Sequence, residues 1–269
     1  MKSSNLQDFL NLIKVITQQW ELLKEDLYNG KTEGQSIEEI KSNYLFLNRF
    51  DQVLEGTVPS FDINLKEIGT MYRGVGINEK IALDNYSRLI PSLEHAKYHN
   101  RMNPPGTAFI YLGISPTKGQ RFEDEKKTVL ETVEAELRAI KGDYYTKARF
   151  EANSSIKIFD MTGNPELPRD FSEFAKVTIN NFLNLPLLMA QYYFNLFNHE
   201  NIFKPIKIND QEEKAREYAP FQLLAKYIQG KGYGGIKFRS TVHESGMNLV
   251  VFNVNDVKLI ESTMERIKI

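Results

Sequence analysis

Residues 232–240 read GYGGIKFRS, and this stretch decides where a helix ends and an inner strand begins. The glycines around Tyr233 match neither the dinucleotide-binding fingerprint nor the phosphate-binding P-loop. Because they stand before a strand, they predict a tight turn from helix to strand. In that strand, Ile236, Phe238 and Ser240 alternate with charged residues and so share one face. A polar Ser240 on this face must find a protein, water or ligand partner.

Other short strands separated by turn residues lie on both sides of this one in the sequence. They are predicted at Met71–Val75, Ala108–Gly113, Thr146–Ala152, Ile156–Met161 and Asn248–Asn253. Helices are predicted at residues 123–140, at 171–197 with a break at Pro186, and at 220–229 between Pro220 and Gly230. Because strands and helices do not alternate regularly, the pattern favours an α+β fold over a doubly wound parallel sheet.

The N-terminal part of the chain has a helical pattern instead. Leu6–Leu27 carries apolar residues at steps of three and four, which predicts an amphipathic helix. A second helix is predicted to begin at Ser36, whose side chain is a good N-cap. The pattern ends near Val58–Ser60. The predicted organisation is therefore a helical region at residues 1–60 and a second domain at 61–269.

Composition limits the classes of function. The 269 residues include 34 Lys and Arg against 35 Asp and Glu, so no general field for nucleic acid or membranes follows. The chain has no cysteine, which excludes disulfides and thiolate chemistry. We expect no signal peptide, because the first residues lack a continuous apolar region. His95 and His99 do not form a zinc-protease motif with Glu94. We expect a cytoplasmic protein without a bound metal.

One carboxylate in the predicted helix at residues 123–140 differs from its neighbours. At 100° per residue, Glu136 lies about 60° from Val133, at the edge of the apolar stripe, whereas Glu131 and Glu134 lie about 160° and 100° away. A carboxylate at such an edge either extends to solvent and pairs with a lysine or borders a buried site.

Four more polar residues lie in or beside predicted strands. In Asn100–Gly106, the Pro-Pro-Gly turn holds Arg101 and Asn103 in a rigid loop, and an arginine there is suited to phosphate. Arg73 lies in a short strand, so it is either exposed at an edge or turned into a polar cleft. Tyr111 is either a core tyrosine or a ring that stacks on a flat heterocycle.

These residues, in this order and with these flanks, resemble the RES domain, a family named after arginine, glutamate and serine. The resemblance covers roughly residues 68–260. Its strongest parts are 101–106 with the following strand to Leu112, and 233–252, which includes Gly246 and Asn248. Members of the family resemble ADP-ribosyltransferases in fold and act on NAD, many as the toxin of a bacterial toxin and antitoxin pair.

The resemblance implies a core of small, mainly antiparallel sheets flanked by helices, and the N-terminal helical appendage predicted from the sequence pattern lies outside the resembling region. It also implies site roles: Arg73, Arg101 and Asn103 bind the dinucleotide, Tyr111 packs near nicotinamide, and Ser240 and Asn248 supply hydrogen bonds. Glu136 is the essential carboxylate in an NAD glycohydrolase or phosphorylase. NAD would be the substrate, with no other cofactor, and phosphate an optional co-substrate. The implied partner is an Xre-type antitoxin.

Several alternatives stay open. The segment from Pro116 to Leu130 is longer than the family's usual link, which leaves Glu134 and Glu131 as alternatives to Glu136. ADP-ribose could be transferred to a protein instead of water or phosphate. The chain could also be a non-catalytic interaction module, for which the aromatic run Tyr192–Phe197 and the amphipathic N-terminus would serve. The N-terminal helices could bind a partner, form a homo-oligomer or restrain the site.

Overall fold

The computed structural model of the chain describes residues 3–57, 61–77, 88–115, 122–138, 144–163, 185–199 and 210–268. Within these ranges the helices are α1 (Ser3–Tyr28), α2 (Ile37–Asn43), α3 (Leu45–Thr57), α4 (Phe122–Leu137), α5 (Leu185–His199) and α6 (Gln211–Gly230). The strands are β1 (Asp62–Asn64), β2 (Met71–Ile77), β3 (Ile110–Ile114), β4 (Tyr144–Ala152), β5 (Lys157–Asp160), β6 (Gly235–Arg239), β7 (Met247–Val251), β8 (Val257–Leu259) and β9 (Glu265–Lys268). The predicted α+β class is confirmed.

The chain divides into two compact units. One comprises Met1–Phe61, Thr162–Ile202 and Ile206–Tyr227, and the other comprises Asp62–Met161, Phe203–Pro205 and Ile228–Ile269. The N-terminal helices thus share a unit with α5 and most of α6. The domain boundary near residue 60 remains a prediction. Within the described residues, no helix combines the length and apolar character needed to cross a membrane.

The helical unit is built around aromatic side chains. Trp20 of α1 lies 4.7 Å from Phe46 of α3 between ring centroids, and Phe50 of α3 lies 4.9 Å from Tyr193 of α5. Such pairs contribute roughly 0.5–1.5 kcal/mol each beyond the area they bury. In the run Tyr192–Phe197, the aromatic side chains are at most 6% exposed. They form core, so they offer no docking surface for the interaction-module alternative.

The helix ends agree with the sequence in part. Ser36 caps α2 as predicted, in a capping box with Glu39, and α6 ends at Gly230. However, the predicted start of that helix at Pro220 is wrong, because α6 begins at Gln211 and contains Pro220 in its interior. Asp210 explains the earlier start: its Oδ1 accepts hydrogen bonds from the backbone N–H of Glu212 and Glu213 at 2.7 and 3.1 Å.

The second unit is one nine-stranded sheet with the order β1-β5-β6-β7-β3-β2-β4-β8, and β9 pairs with β4. Its strand pairs are antiparallel except the parallel pair β5 and β6. One face carries the buried side chains Ile110, Leu112, Leu249 and Val251. On the other face, α4 packs through its buried Val129 and Val133, together with Tyr72 of β2. Glu136, on α4, is thereby brought to this second face.

The six predicted strands are all present, with ends shifted by a few residues. The sequence patterns missed β1, β8 and β9, which are short edge strands whose residues are mostly half-buried or exposed. Such strands lack the alternation of buried and exposed residues on which the prediction depends. The strands form one sheet among the described residues, where small sheets were expected.

Candidate active site

The sheet opens between β2 and β3. The two strands pair only at Met71–Tyr72 with Gly113–Ile114, whereas β2 continues to pair with β4 as far as Ile77. Beyond Tyr72, β2 and β3 are no longer paired. There the guanidinium of Arg73 donates a hydrogen bond from Nη1 to the backbone carbonyl of Tyr111 at 3.0 Å. Arg73 therefore lies in the opening that the strands leave.

Arg73 carries a charge without a described counter-ion. Its Nε–H is buried and has no hydrogen-bond partner among the described residues. Burial lowers the pKa of the guanidinium to about 10, and the nearby positive charge of Arg88 acts in the same direction. The group still remains protonated at neutral pH. A buried cation with an unused donor is suited to an anionic ligand.

Tyr111 and Asn103 fix the loop Asn100–Gly106, which precedes β3 in the chain. The Tyr111 hydroxyl donates to Asn103 Oδ1 at 2.8 Å and accepts from the backbone N–H of Met102 at 3.1 Å. Asn103 is 2% exposed, and its Nδ2 donates to the carbonyl of Thr107 at 2.6 Å. Both ends of the Asn103 amide thus hold the Pro-Pro-Gly turn in place. The role of Asn103 in binding the dinucleotide stays a prediction.

A cavity of about 300 Å³ lies at the opening. Its lining includes Arg73, Arg88, Tyr98, Asn103, Phe109 and Tyr111. No aspartate or glutamate is among its described lining residues, whereas two arginines are. The volume is at the lower end of the range for small-molecule sites. This balance of charge favours a ligand with a negatively charged group.

Arg101 belongs to the same loop but has a different position. It is half-buried, and the described lining of the cavity includes Asn100 and Asn103 but not Arg101. The structure therefore brings Arg73, Asn103 and Tyr111 together at the opening and leaves Arg101 beside them. Its predicted role as a dinucleotide ligand remains a prediction.

A second cluster surrounds Glu136 near the C-terminal end of α4. Its Oε1 accepts from the hydroxyl of Ser240, which follows β6, at 2.8 Å. The same oxygen accepts from Nδ2 of Asn248 in β7 at 2.5 Å. Ser240 and Asn248 are 8% and 7% exposed, so both donors lie inside the fold. Three of the predicted site residues are thus joined at one oxygen.

The hydrogen bonds of the Ser240 hydroxyl indicate its role in the cluster. Besides donating its only hydrogen to Glu136, its Oγ accepts from the backbone N–H of Val242 and of His243, at 3.3 and 3.2 Å. A hydroxyl has one donor and two acceptor sites, and here all three are used. Ser240 therefore orients Glu136. Within the described residues, the second oxygen of Glu136, Oε2, has no hydrogen bond and no paired cation.

The two alternative candidates on α4, Glu134 and Glu131, have other contacts. Glu134 accepts a hydrogen bond from the hydroxyl of Tyr145, and burial together with this bond raises the pKa of Tyr145. Glu131 is exposed and lies 4.0 Å from Lys127. Neither has a described bond to Ser240 or Asn248. The geometry thus distinguishes Glu136 in the same way as the helical wheel, and its catalytic role stays a prediction.

Tyr111 connects the two clusters. In the ladder between β3 and β7, Gly113 lies opposite Asn248 and Tyr111 lies opposite Val250. Paired residues of antiparallel strands direct their side chains to the same face, so Tyr111 and Asn248 are diagonal neighbours, roughly 7–8 Å apart. Tyr111 therefore stands on the face that carries Glu136 and also lines the cavity beside Arg73.

Glycine allows α4 to approach the sheet at this point. A Cβ at Gly113 would lie 2.8 Å from Cγ2 of Val133 and 3.3 Å from the backbone oxygen of Val129. Because the helix backbone is one of the obstacles, α4 would have to move. Gly76 provides a matched comparison in the adjacent strand, since a Cβ there would meet nothing within 4 Å.

We expect Gly113→Ala to lower the free energy of unfolding by about 1–3 kcal/mol, because overpacking forces α4 outward. Gly76→Ala should change it by less than about 0.5 kcal/mol. Urea unfolding followed by circular dichroism measures both. A Gly113→Ala protein as stable as the unmodified chain would show that α4 is not held as closely as described.

The rings of His243 and His95 each have a nearby hydroxyl as partner. Nδ1 of His243 lies 3.0 Å from Oγ1 of Thr132. His95 Nδ1 lies 2.7 Å from the Ser92 hydroxyl. Among the described residues there is no group of three or more His, Asp or Glu that could hold a metal. No sequence pattern predicts the contact between His243 and Thr132, because the two residues are far apart in the chain.

No family model matches the chain, and no curated protein matches it. The chain is similar to a chain in the crystal structure of the M. tuberculosis MbcT-MbcA toxin-antitoxin complex. Sequence identity is 15%, the alignment covers 82% of this chain and 93% of that chain, and the TM-score is 0.34. This likeness is too weak to assign fold or function, which therefore rest on the residues described above.

Proposed function

We propose that the chain is an NAD-consuming enzyme that cleaves the bond between nicotinamide and ribose. The observation that supports this best is the carboxylate of Glu136. Two neutral donors fix its Oε1, no described cation neutralises it, and it lies on the sheet face of Tyr111. Tyr111 also lines the cavity that contains Arg73. A fixed carboxylate on one side of Tyr111 and a buried cation on the other would suit a substrate that is anionic at one end and becomes cationic at the other.

The chemistry follows from the substrate. When the bond between C1 of the ribose and the ring nitrogen of nicotinamide breaks, its electron pair leaves with nicotinamide and the ribose ring becomes an oxocarbenium-like cation. Oε2 of Glu136 would stabilise this cation more than the ground state, which lowers the barrier. Ser240 and Asn248 contribute by keeping the carboxylate in place before the charge develops. Water or phosphate then forms the new bond to C1 and releases a proton.

The remaining residues would hold the dinucleotide. Arg73, with its unused Nε–H, would bind the diphosphate, and Arg101 would add a second cation from the adjacent loop. The Tyr111 ring would pack against nicotinamide, between the diphosphate and Glu136. Asn103 would keep the tyrosine in this position through its bond to the hydroxyl.

The acceptor of ADP-ribose is tested by analysing the products of NAD. We expect purified chain to release nicotinamide together with ADP-ribose in phosphate-free buffer, and with ADP-ribose 1″-phosphate when phosphate is added. Release that phosphate stimulates identifies a phosphorylase, and release that phosphate does not change identifies a glycohydrolase. Label from NAD on a protein would instead favour an ADP-ribosyltransferase. No release of nicotinamide in either buffer would contradict the proposal and favour the interaction module.

We further propose that NAD depletion makes the chain the toxin of a toxin–antitoxin pair, with an Xre-type antitoxin as partner. The support is the ordered set of family-like motifs around Arg73, Glu136 and Ser240. On α1, the side chains Leu12, Val15 and Leu22 are exposed and would be available for a partner or a second copy of the chain. A fall in cellular NAD on expression, relieved by co-expression of the antitoxin, tests this role.

A further inference from the structure

The loop between β6 and β7 is closed by its own hydrogen bonds. The backbone N–H of Ser240 donates to the carbonyl of Gly246 at 2.9 Å, and the N–H of Gly246 donates to the carbonyl of His243 at 3.0 Å. In addition, the N–H groups of Val242 and His243 donate to Oγ of Ser240. The direction of the Ser240 hydroxyl therefore depends on the position of the His243 backbone.

The ring of His243 ties this loop to α4. Its Nδ1 lies 3.0 Å from Oγ1 of Thr132, and that Oγ1 donates to the carbonyl of Thr128 at 2.8 Å. Because a hydroxyl has only one hydrogen, Thr132 must accept from His243, and Nδ1 must carry the proton. Nε2 lies 3.8 Å from Oε2 of Glu131, on the same helix.

Two side-chain hydrogen bonds thus join the loop between β6 and β7 to α4. Thr132 and Glu136 are four residues apart, so they lie one above the other on α4. His243 is bonded to Thr132, and Ser240 is bonded to Glu136. The packing between them is close, since a Cβ at Gly246 would lie 2.7 Å from Oγ1 of Thr132 and 3.0 Å from Nδ1 of His243.

We infer that His243 is a positioning residue that keeps the Ser240 hydroxyl on Oε1 of Glu136. This inference rests on the proposed function, since it assigns His243 to the reaction of Glu136. His243 does not contact the reacting atoms, and it acts through the backbone of its loop. When the tie to Thr132 is lost, the loop can move, Ser240 loses its fixed direction, and Glu136 is no longer held for the transition state.

Three variants of His243 distinguish the effect of its hydrogen bond to Thr132 from the effect of its side-chain volume. His243→Asn keeps an N–H donor near the position of Nδ1, His243→Gln moves its amide to the position of Nε2, and His243→Ala removes both. We expect kcat for nicotinamide release to fall about 10- to 100-fold in the Ala and Gln variants, with KM changed less than about twofold. His243→Asn should recover kcat to within about threefold of the unmodified enzyme. Glu244→Ala, an exposed neighbour, is the control and should have no effect.

A second measurement does not depend on turnover. Hydrogen exchange at the backbone amides of Val242 and His243 should be faster in His243→Ala than in the unmodified chain, and His243→Asn should restore protection. The ¹⁵N spectrum of the imidazole should show the tautomer protonated at Nδ1, and Thr132→Val should abolish this preference. If the unmodified chain does not consume NAD, the proposed function fails. The hydrogen exchange and the ¹⁵N spectrum still decide whether His243 holds the loop.

The inference is overturned by an Ala variant with normal kcat, or by an Asn variant that is no better than Ala. Unchanged exchange in His243→Ala, or an imidazole protonated at Nε2 alone, would overturn it as well. Equal melting temperatures of the variants, measured in parallel, assign a selective loss of kcat to positioning, because a merely structural role would change stability together with activity.

Discussion

Replacement of Glu136 by glutamine is expected to reduce kcat for nicotinamide release by about a thousandfold, or about 4 kcal/mol in activation free energy. The substitution keeps an oxygen that accepts from Ser240 and Asn248, so the two hydrogen bonds survive. What is lost is the negative charge that would face the developing ribosyl cation. Because that interaction is stronger in the transition state than in the ground state, KM should change little.

The control is Glu134→Gln on the same helix. Glu134 is bonded to the hydroxyl of Tyr145 and has no described contact with Ser240 or Asn248. Steady-state rates of NAD consumption should therefore stay within about threefold of the unmodified enzyme. A larger loss in Glu134→Gln than in Glu136→Gln would reassign the essential carboxylate, and an active Glu136→Gln enzyme would refute the proposed role of its charge.

Replacement of Arg73 by methionine is expected to separate activity from stability. The kcat/KM for NAD should fall about 10- to 100-fold, because a charged hydrogen bond to the diphosphate is worth roughly 1.5–3 kcal/mol. The melting temperature should stay unchanged or rise, because the variant removes a buried cation with no described counter-ion and an unpaired Nε–H. Calorimetry and steady-state kinetics on the same preparation measure both.

Two further variants identify what Arg73 supplies. Arg73→Lys keeps the charge but loses the planar fork, so it should not restore kcat/KM, and its bond to the Tyr111 carbonyl should be weakened. Arg88→Gln alters an exposed arginine of the same cavity and should have a smaller effect. Addition of NAD should raise the melting temperature of the unmodified chain more than that of Arg73→Met. A destabilised Arg73→Met protein would show that the guanidinium mainly supports the fold.

Local patterns predicted much of the fold, and particular residues show why. The alternation of Ile236, Phe238 and Ser240 follows from strand geometry alone, as does the position of Glu136 at the edge of an apolar helical stripe. By contrast, β8 has only three residues and β9 is mostly polar, so neither produces such a pattern. The start of α6 was missed because Pro220 is an interior proline, and the cap is supplied by Asp210 instead.

The composition of the site could be predicted only in part. Sequence order gave Arg73, Tyr111, Glu136, Ser240 and Asn248 as candidates, but it did not say that one oxygen of Glu136 accepts from two of them. That arrangement depends on the pairing of β6 with β7 and of β7 with β3, which joins residues far apart in the chain. The hydrogen bond between His243 and Thr132 also joins residues that are far apart in the chain.

The central claim is that this chain breaks the bond between nicotinamide and ribose. Proton NMR of NAD incubated with purified, unmodified chain tests it directly, because the aromatic protons of nicotinamide shift when the ring loses its positive charge. We predict that the signals of free nicotinamide grow as those of NAD decline, and that they do not grow with Glu136→Gln. Intact NAD after prolonged incubation with folded protein would contradict the account.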